Sequence, residues 1–237
     1  MKTQPVTNRK KGRFNLISSN TFEHDGASYS VNCKRNSDSP LSTEILERNI
    51  NELRAMQESY ARVFAFRFDL RVPSSMTPEE SNRLISELFE KLRDKFKSKG
   101  WDNQPIKTYA YGWVWEIKTA QSPHYHLWIA VPGNQVKSTG FVGRGMYGLI
   151  NGLWLELTNG KGRGHLPTNA GYMIIRDDES ELNEFVYRVS YIAKEEGKYS
   201  QSNKTKRYGG SRLHGKMLKK AATFKATKAK ALTLQVA

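Results

Sequence analysis

Apolar and polar positions alternate twice in the middle of the chain. Trp113-Val114-Trp115-Glu116-Ile117-Lys118 leads into a polar turn through Pro123, and then comes His124-Tyr125-His126-Leu127-Trp128-Ile129-Ala130-Val131. Alternation in segments this rich in aromatic and β-branched residues predicts the two antiparallel strands of a hairpin. Arg62 to Val72 reads the same way, with Phe64, Phe66, Phe68 and Leu70 on one face and Ala65, Arg67, Asp69 and Arg71 on the other. Gly171 to Ile175 is a fourth, shorter strand. Elsewhere the period is helical. One helix starts at Ser42 and carries Ile45, Leu46, Ile50, Leu53, Met56 and Tyr60. The next carries Leu84, Ile85, Leu88, Phe89, Leu92 and Phe96 to Gly100. Its start, Thr77-Pro78-Glu79-Glu80, has an N-cap threonine, proline at the first position and glutamate at the third. Val142 to Leu157 fits a helix weakened by four glycines between 143 and 152. Asp177 to Lys198 is the last helix, with acids in its first turn as the helix dipole favours.

Strand, helix, strand, strand, helix, strand, with one helix added at each end, predicts an α+β fold: the split βαβ, ferredoxin-like arrangement around an antiparallel sheet. Right-handed crossovers place both internal helices on one face and leave the other partly open. The first and third strands become central neighbours. Residues 1–40 are polar and Ser/Asn-rich and predict an irregular segment, in which His24 has no assigned role. The chain thus divides into 1–40, a folded domain at 41–197, and a tail at 198–237.

Strand periodicity turns His124 and His126 to one face and Tyr125, Leu127, Ile129 and Val131 to the other. Glu116, if it lies across from either histidine, joins them, since opposed Cβ atoms are roughly 4.5–5.5 Å apart. Two imidazoles and a carboxylate would then form a three-ligand metal site with open positions. The competing reading is a solvated strand face that happens to carry two histidines. A polar triple on an otherwise apolar hairpin argues against it.

The last helix adds a second group. With Leu182 at zero on an ideal wheel, Phe185, Val186, Val189, Ile192 and Ala193 share its arc. Tyr187, Tyr191, Lys194 and Lys198 fall at roughly 120–180°. The tyrosines are therefore outside the apolar stripe, as nucleophiles or simply as exposed residues. A phenol can attack a phosphoryl group, and neighbouring lysines favour the phenolate and help hold a phosphate.

Charge points the same way. The net charge is +15, and residues 1–13 hold five Lys/Arg and residues 198–237 hold eleven, with no acid in either segment. Cationic ends around a near-neutral middle suit a polyanion, most often nucleic acid, although a merely solubilising tail is the alternative. Tyr199, Tyr208 and Phe224 could stack on bases. A single cysteine excludes a disulfide framework and a cysteine zinc cluster. Without an apolar leader or a run of 18 apolar residues, a soluble cytoplasmic protein is expected, with no membrane partner.

Pro123-His124-Tyr125-His126 before an apolar run, then Tyr191-Ile192-Ala193-Lys194 on a later helix, resembles the HUH endonuclease superfamily of rolling-circle replication initiators. Arg67 to Pro73 together with Ser190 to Lys194 is similar, more narrowly, to the inovirus gene 2 replication-protein family of filamentous phages and prophages. The resemblance covers about residues 60–200. It implies Mg²⁺ or Mn²⁺ held by His124, His126 and Glu116. It implies that Tyr191 attacks a DNA phosphate to give a 5′-phosphotyrosine and a free 3′-hydroxyl, with Lys194 assisting. Tyr187, one turn earlier, matches the second tyrosine of two-tyrosine initiators. Arg67 and Asp69 beside the histidines, and Lys198, Lys204, Lys206 and Arg207 in the basic tail, are the expected contacts to single-stranded or origin DNA. Asp69 is alternatively a further metal ligand or a partner of Arg67 or Arg71. No P-loop is present, so unwinding falls to a host helicase and extension to a polymerase. His165, in a glycine-rich basic stretch, reads as part of a connector, with a phosphate contact as the alternative. A non-catalytic DNA-binding regulator of an integrated phage element on the same fold, and an unrelated metal hydrolase, are the competing functions.

Overall fold

A computed structural model describes residues 9–11, 14–33, 39–98, 100–117, 123–195 and 205–218. The amino-terminal part contains β1 (Arg9–Lys11), β2 (Phe14–Ile17), β3 (Thr21–His24), β4 (Ala27–Ser30) and β5 (Leu41–Ser42). Helix α1 (Thr43–Ser59) precedes β6 (Arg62–Arg71), α2 (Pro78–Phe96), β7 (Ala110–Glu116) and β8 (His124–Pro132). Then come α3 (Gly145–Leu157), β9 (Arg163–His165), β10 (Gly171–Ile175) and α4 (Glu179–Ser190). A 3₁₀ turn at Tyr191–Ala193 and β11 (Tyr208–Gly210) follow, and residues 213–218 are helical. No helix among the described residues is long and apolar enough to cross a membrane.

The main sheet is antiparallel, in the order β10-β6-β8-β7-β11, with β9 also paired to β6. The α+β class and the strand–helix–strand–strand–helix–strand order follow the sequence pattern, and β6 and β8 are the central pair. Side-chain alternation sorts the sheet into two cores. Phe64, Phe66, Phe68, Leu70, Tyr125, Leu127, Ile129 and Val131 face α2 and α3. Val63, Ala65, Val114, Trp128 and Ala130 face α1 and α4. Helix α2 begins as its sequence dictates, with Thr77 accepting from Glu80 N and Glu80 accepting from Thr77 N, a complete capping box.

Two expectations are corrected, and two are filled in. The second sheet face is partly open, as expected: α1 and α4 cover the half that carries Val63, Ala65, Trp128 and Ala130, because those side chains are apolar and must leave water. Gly112 lets this happen. A Cβ there would strike the Trp128 indole and Asn49 of α1, whose Oδ1 accepts from Trp128 Nε1 at 3.0 Å. The segment 1–40 is not irregular where it is described. Asp25 and Gly26, at φ 48° and 77°, make the tight turn of the β3–β4 hairpin, the left-handed pair that favours Asp-Gly, and His24 Nε2 lies 2.7 Å from Asn51 Oδ1. The last helix does not run to Lys198. It ends at Ser190 because the chain turns to pair with 40–41: Leu41 bridges Lys194, and Glu195 N donates to Pro40 O at 2.9 Å. The tail, whose order the sequence left open, is folded at 205–218, where β11 adds an edge strand to β7.

Candidate metal centre

The uncovered end of the α1/α4 face is where β6, β7 and β8 bring their polar residues together. Their register opposes Glu116 to His124, Asp69 to His126 and Arg71 to His124. Tyr125, between the histidines, points the other way and is locked to α2. Its hydroxyl lies 3.0 Å from Ser81 Oγ and accepts from Asn82 Nδ2 at 3.1 Å. That anchor fixes both histidines on the opposite face. Glu116 and His126 are buried and His124 is half-buried.

Glu116, His124 and His126 offer ligand atoms that all lie within 4.8 Å of one another. His124 Nε2 is 3.0 Å from His126 Nε2, which is 3.1 Å from Glu116 Oε2. Asp69 Oδ1 approaches the other ring nitrogen, His126 Nδ1, at 2.6 Å. Arg67 Nη2 is also near that atom, at 3.2 Å. Guanidinium can only donate, so the shorter carboxylate contact puts a proton on Nδ1, which donates to Asp69; Nε2 faces Glu116 and His124, donating to Glu116 when the ring is protonated and offering its lone pair to a cation when the ring is neutral. A carboxylate holding the far nitrogen of a histidine is the usual outer support of a metal ligand. The residues thus fit a divalent cation, which could be held by two imidazoles and one carboxylate.

Charge within the cluster is balanced tightly. Burial alone would raise Asp69, but the hydrogen bond and charge of His126 and the charge of Arg67 outweigh it and bring its pKa down to about 2. Burial alone would lower His126, yet hydrogen bonds to Asp69 and Glu116 raise it above its ordinary value.

Tyr191 closes the site. The 3₁₀ turn at the end of α4 carries its ring edge-on to His126, with centroids 5.4 Å apart. Arg67 Cζ stands 4.7 Å from the Tyr191 ring centroid and Lys194 Nζ 4.6 Å from it. The apolar stripe of α4 meanwhile packs on α1 and the sheet. The helix can therefore bury its core face and still present Tyr191 to the histidines.

A family model described as the YagK/YfjJ C-terminal domain matches residues 25–211. The chain belongs to this family. The YagK/YfjJ family is one of prophage-associated proteins. The matched span runs from the β3–β4 turn to the residue after β11, so it contains the whole cluster. No curated protein and no solved structure matches the chain.

The remaining predicted site residues fall in four groups around this YagK/YfjJ domain. Tyr187 is 44 % exposed and joins no ring contact of the cluster among the described residues. Asp69 flanks the histidines as expected, turned against His126 at 2.6 Å and 3.5 Å from Arg67 Nη2. Lys206 and Arg207 are held near the site end of β7: Lys206 N donates to Asn82 Oδ1 at 2.7 Å, Trp115 N donates to Arg207 O at 2.8 Å, and Arg207 pairs with Glu195 at 2.9 Å. Lys198, Lys204, Tyr199 and Phe224 lie outside the described residues. One residue goes beyond the sequence reading. His165 is on β9 rather than in a connector, opposite Asp69, with Nδ1 3.6 Å from Asp69 Oδ2. Asn151 of α3 fixes that strand by accepting from Gly164 N at 2.9 Å. Three residues are too few to alternate visibly, so only the histidine itself was a signal.

Proposed function

We propose that this protein is a metal-dependent enzyme that nicks and rejoins DNA at a specific site to start rolling-circle replication, the activity of the HUH endonucleases it resembles. The placement of the Tyr191 ring against His126, reached from a different element than the histidines, is the observation that carries the reading. A hydrolase built on the histidines alone leaves that tyrosine, and the two cations over it, without a purpose.

Glu116, His124 and His126 would hold Mg²⁺ or Mn²⁺, and the bound cation would polarise the scissile phosphodiester and stabilise the departing oxygen. Tyr191 supplies the nucleophile. Its phenolic oxygen, having lost its proton, forms a bond to phosphorus while the bond from phosphorus to the 3′-oxygen breaks. The 3′-oxygen takes up a proton, and the 5′-phosphate remains on Tyr191. Rejoining is the reverse transfer to a 3′-hydroxyl, so no external energy source is required. Arg67 and Lys194 put positive charge beside the ring, where both the attacking oxygen and the phosphate are negative. Asp69 holds the His126 ring in position. The freed 3′-hydroxyl would prime a polymerase, with strand separation supplied by a partner helicase.

The test is incubation with single-stranded DNA fragments from the element's own replication region and Mn²⁺, followed by denaturing electrophoresis. A covalent protein–DNA adduct that disappears in Tyr191→Phe is expected. Binding without an adduct would instead favour a non-catalytic regulator, and cleavage without an adduct a metal hydrolase.

A further inference from the structure

On the other side of the β7 edge lies a groove of about 880 Å³ that the metal centre does not use. Its floor is aromatic. Tyr109 and Tyr111 stack with centroids 6.0 Å apart, Tyr111 lies on Phe89 at 3.6 Å, and Tyr109 meets Phe96 edge-on at 4.8 Å. Both tyrosines are half-buried, so each keeps part of its surface accessible. Its walls are cationic. Arg93 and Lys97 come from the end of α2, Lys107 from the approach to β7, and Arg212 and Lys216 from the segment after β11. Lys97 shares its charge with Asp94 at 2.7 Å. Arg93, Lys107, Arg212 and Lys216 are exposed and form no ion pair among the described residues.

The second wall is held in place. Ser211 N donates to Tyr111 O at 2.9 Å, and Tyr111 N donates to Ser211 Oγ at 3.0 Å. Glu52 of α1 accepts from Leu213 N at 2.9 Å and from His214 N at 3.1 Å. The Glu52 carboxylate is thereby buried against donors of this wall. Beyond this wall the chain continues with Lys219, Lys220, Lys225, Lys228 and Lys230 and no acid.

A row of unpaired cations flanking stacked aromatic rings matches a flexible polyanion whose flat bases need a platform. Rings of this kind bind bases with little regard to sequence, while the cations track the phosphates. Duplex DNA keeps its bases inside and has no use for the tyrosines. We propose that the groove formed by Tyr109, Tyr111, Arg93, Lys107, Arg212 and Lys216 is a second, sequence-tolerant site for single-stranded nucleic acid. The choice of DNA rests on the nicking activity proposed above. Tyr111 lies five residues before Glu116 on the same strand, roughly 16 Å away, and on the opposite sheet face. A strand cut at Tyr191 can therefore pass round the β11 edge and be retained by the groove after cleavage.

The test is binding of a fluorescent oligothymidylate by anisotropy, in EDTA, so that no chemistry contributes. The quadruple reversal R93E/K107E/R212E/K216E is expected to weaken binding at least tenfold and to flatten the dependence of log K on log salt by about 3. An oligothymidylate carrying 5-iodouracil is expected to photocrosslink to Tyr109 or Tyr111, read by mass spectrometry of the peptides. Parent-like binding by the quadruple variant, crosslinks confined to residues 219–237, or tighter binding of duplex or of oligouridylate would overturn the proposal. Because the assay involves no cleavage, its outcome is independent of whether Tyr191 forms an adduct.

Discussion

The two halves of one sheet face obey opposite rules. Over Val63, Ala65, Trp128 and Ala130 the face is apolar and α1 and α4 cover it. Two residues further along β6 and two back along β8, the same face carries Arg67, Asp69, His124, His126 and Glu116, and among the described residues the Tyr191 turn and β9 approach it. The first half contributes stability by burying area. The second half gathers charges that hold one another around a group of side chains that could bind a metal ion. The sheet is therefore a frame whose covered end sets the positions of the residues at its uncovered end.

Substitutions should separate the halves. The largest effect is expected at the polar end. Tyr191→Phe keeps the ring against His126 but removes the nucleophile, so the adduct with DNA should fall by about 10³-fold or more, while the melting temperature stays within a degree or two. The next largest effect belongs to the apolar end. Trp128 is fully buried, and Trp128→Ala should cost about 3–5 kcal/mol in denaturant unfolding. Adduct formation per folded molecule should change far less than in Tyr191→Phe.

Asp69→Asn tests the support beneath the site. It should weaken Mn²⁺ binding by about 10–100-fold and alter the acid response. The Asp69 pKa in the folded protein is about 2, below the ordinary 3.8. Its contribution to stability, about 2 kcal/mol, is therefore full above that ordinary value and lost as pH falls towards 2. Acid unfolding of Asp69→Asn should lack that component. His126 works in the opposite sense, because its pKa is raised and a protonated imidazole cannot ligate. Mn²⁺ affinity should fall as pH drops, beginning above the ordinary histidine range, with a slope near one proton per ion. The smallest effect is expected at Tyr187, which is exposed and away from the cluster. Tyr187→Phe should change the yield of adduct by less than about twofold.

Much of the polar half was legible before any coordinates, because strand parity is rigid. Once β8 is a strand with Tyr125 and Leu127 inward, His124 and His126 must share the other face, and the short hairpin brings Glu116 across from His124. The capping box of α2 was equally direct. Other features depend on distant partners. Nothing local says that α4 should stop at Ser190, since the reason is the pairing of Leu41 with Lys194. Ala65 and Ala130 are small, and Trp128 stands next to a histidine-rich stretch, so the apolar half of that face did not stand out as the seat of two helices. Asp25-Gly26 was a readable hairpin signal, but strands of four residues around it hold too few apolar positions to show a period. His165 could only be placed once β9 was seen beside β6.

The central claim is that Glu116, His124 and His126 bind a divalent ion next to the Tyr191 ring. Fluorine NMR of the protein labelled with 3-fluorotyrosine, titrated with paramagnetic Mn²⁺, tests it most directly, with the Tyr191 signal assigned by its loss in Tyr191→Phe. The signal should broaden beyond detection by one equivalent of Mn²⁺, and should stay sharp in E116A/H124A/H126A. A Tyr191 signal that remains sharp in the parent protein, or that broadens equally in the triple variant, would contradict it.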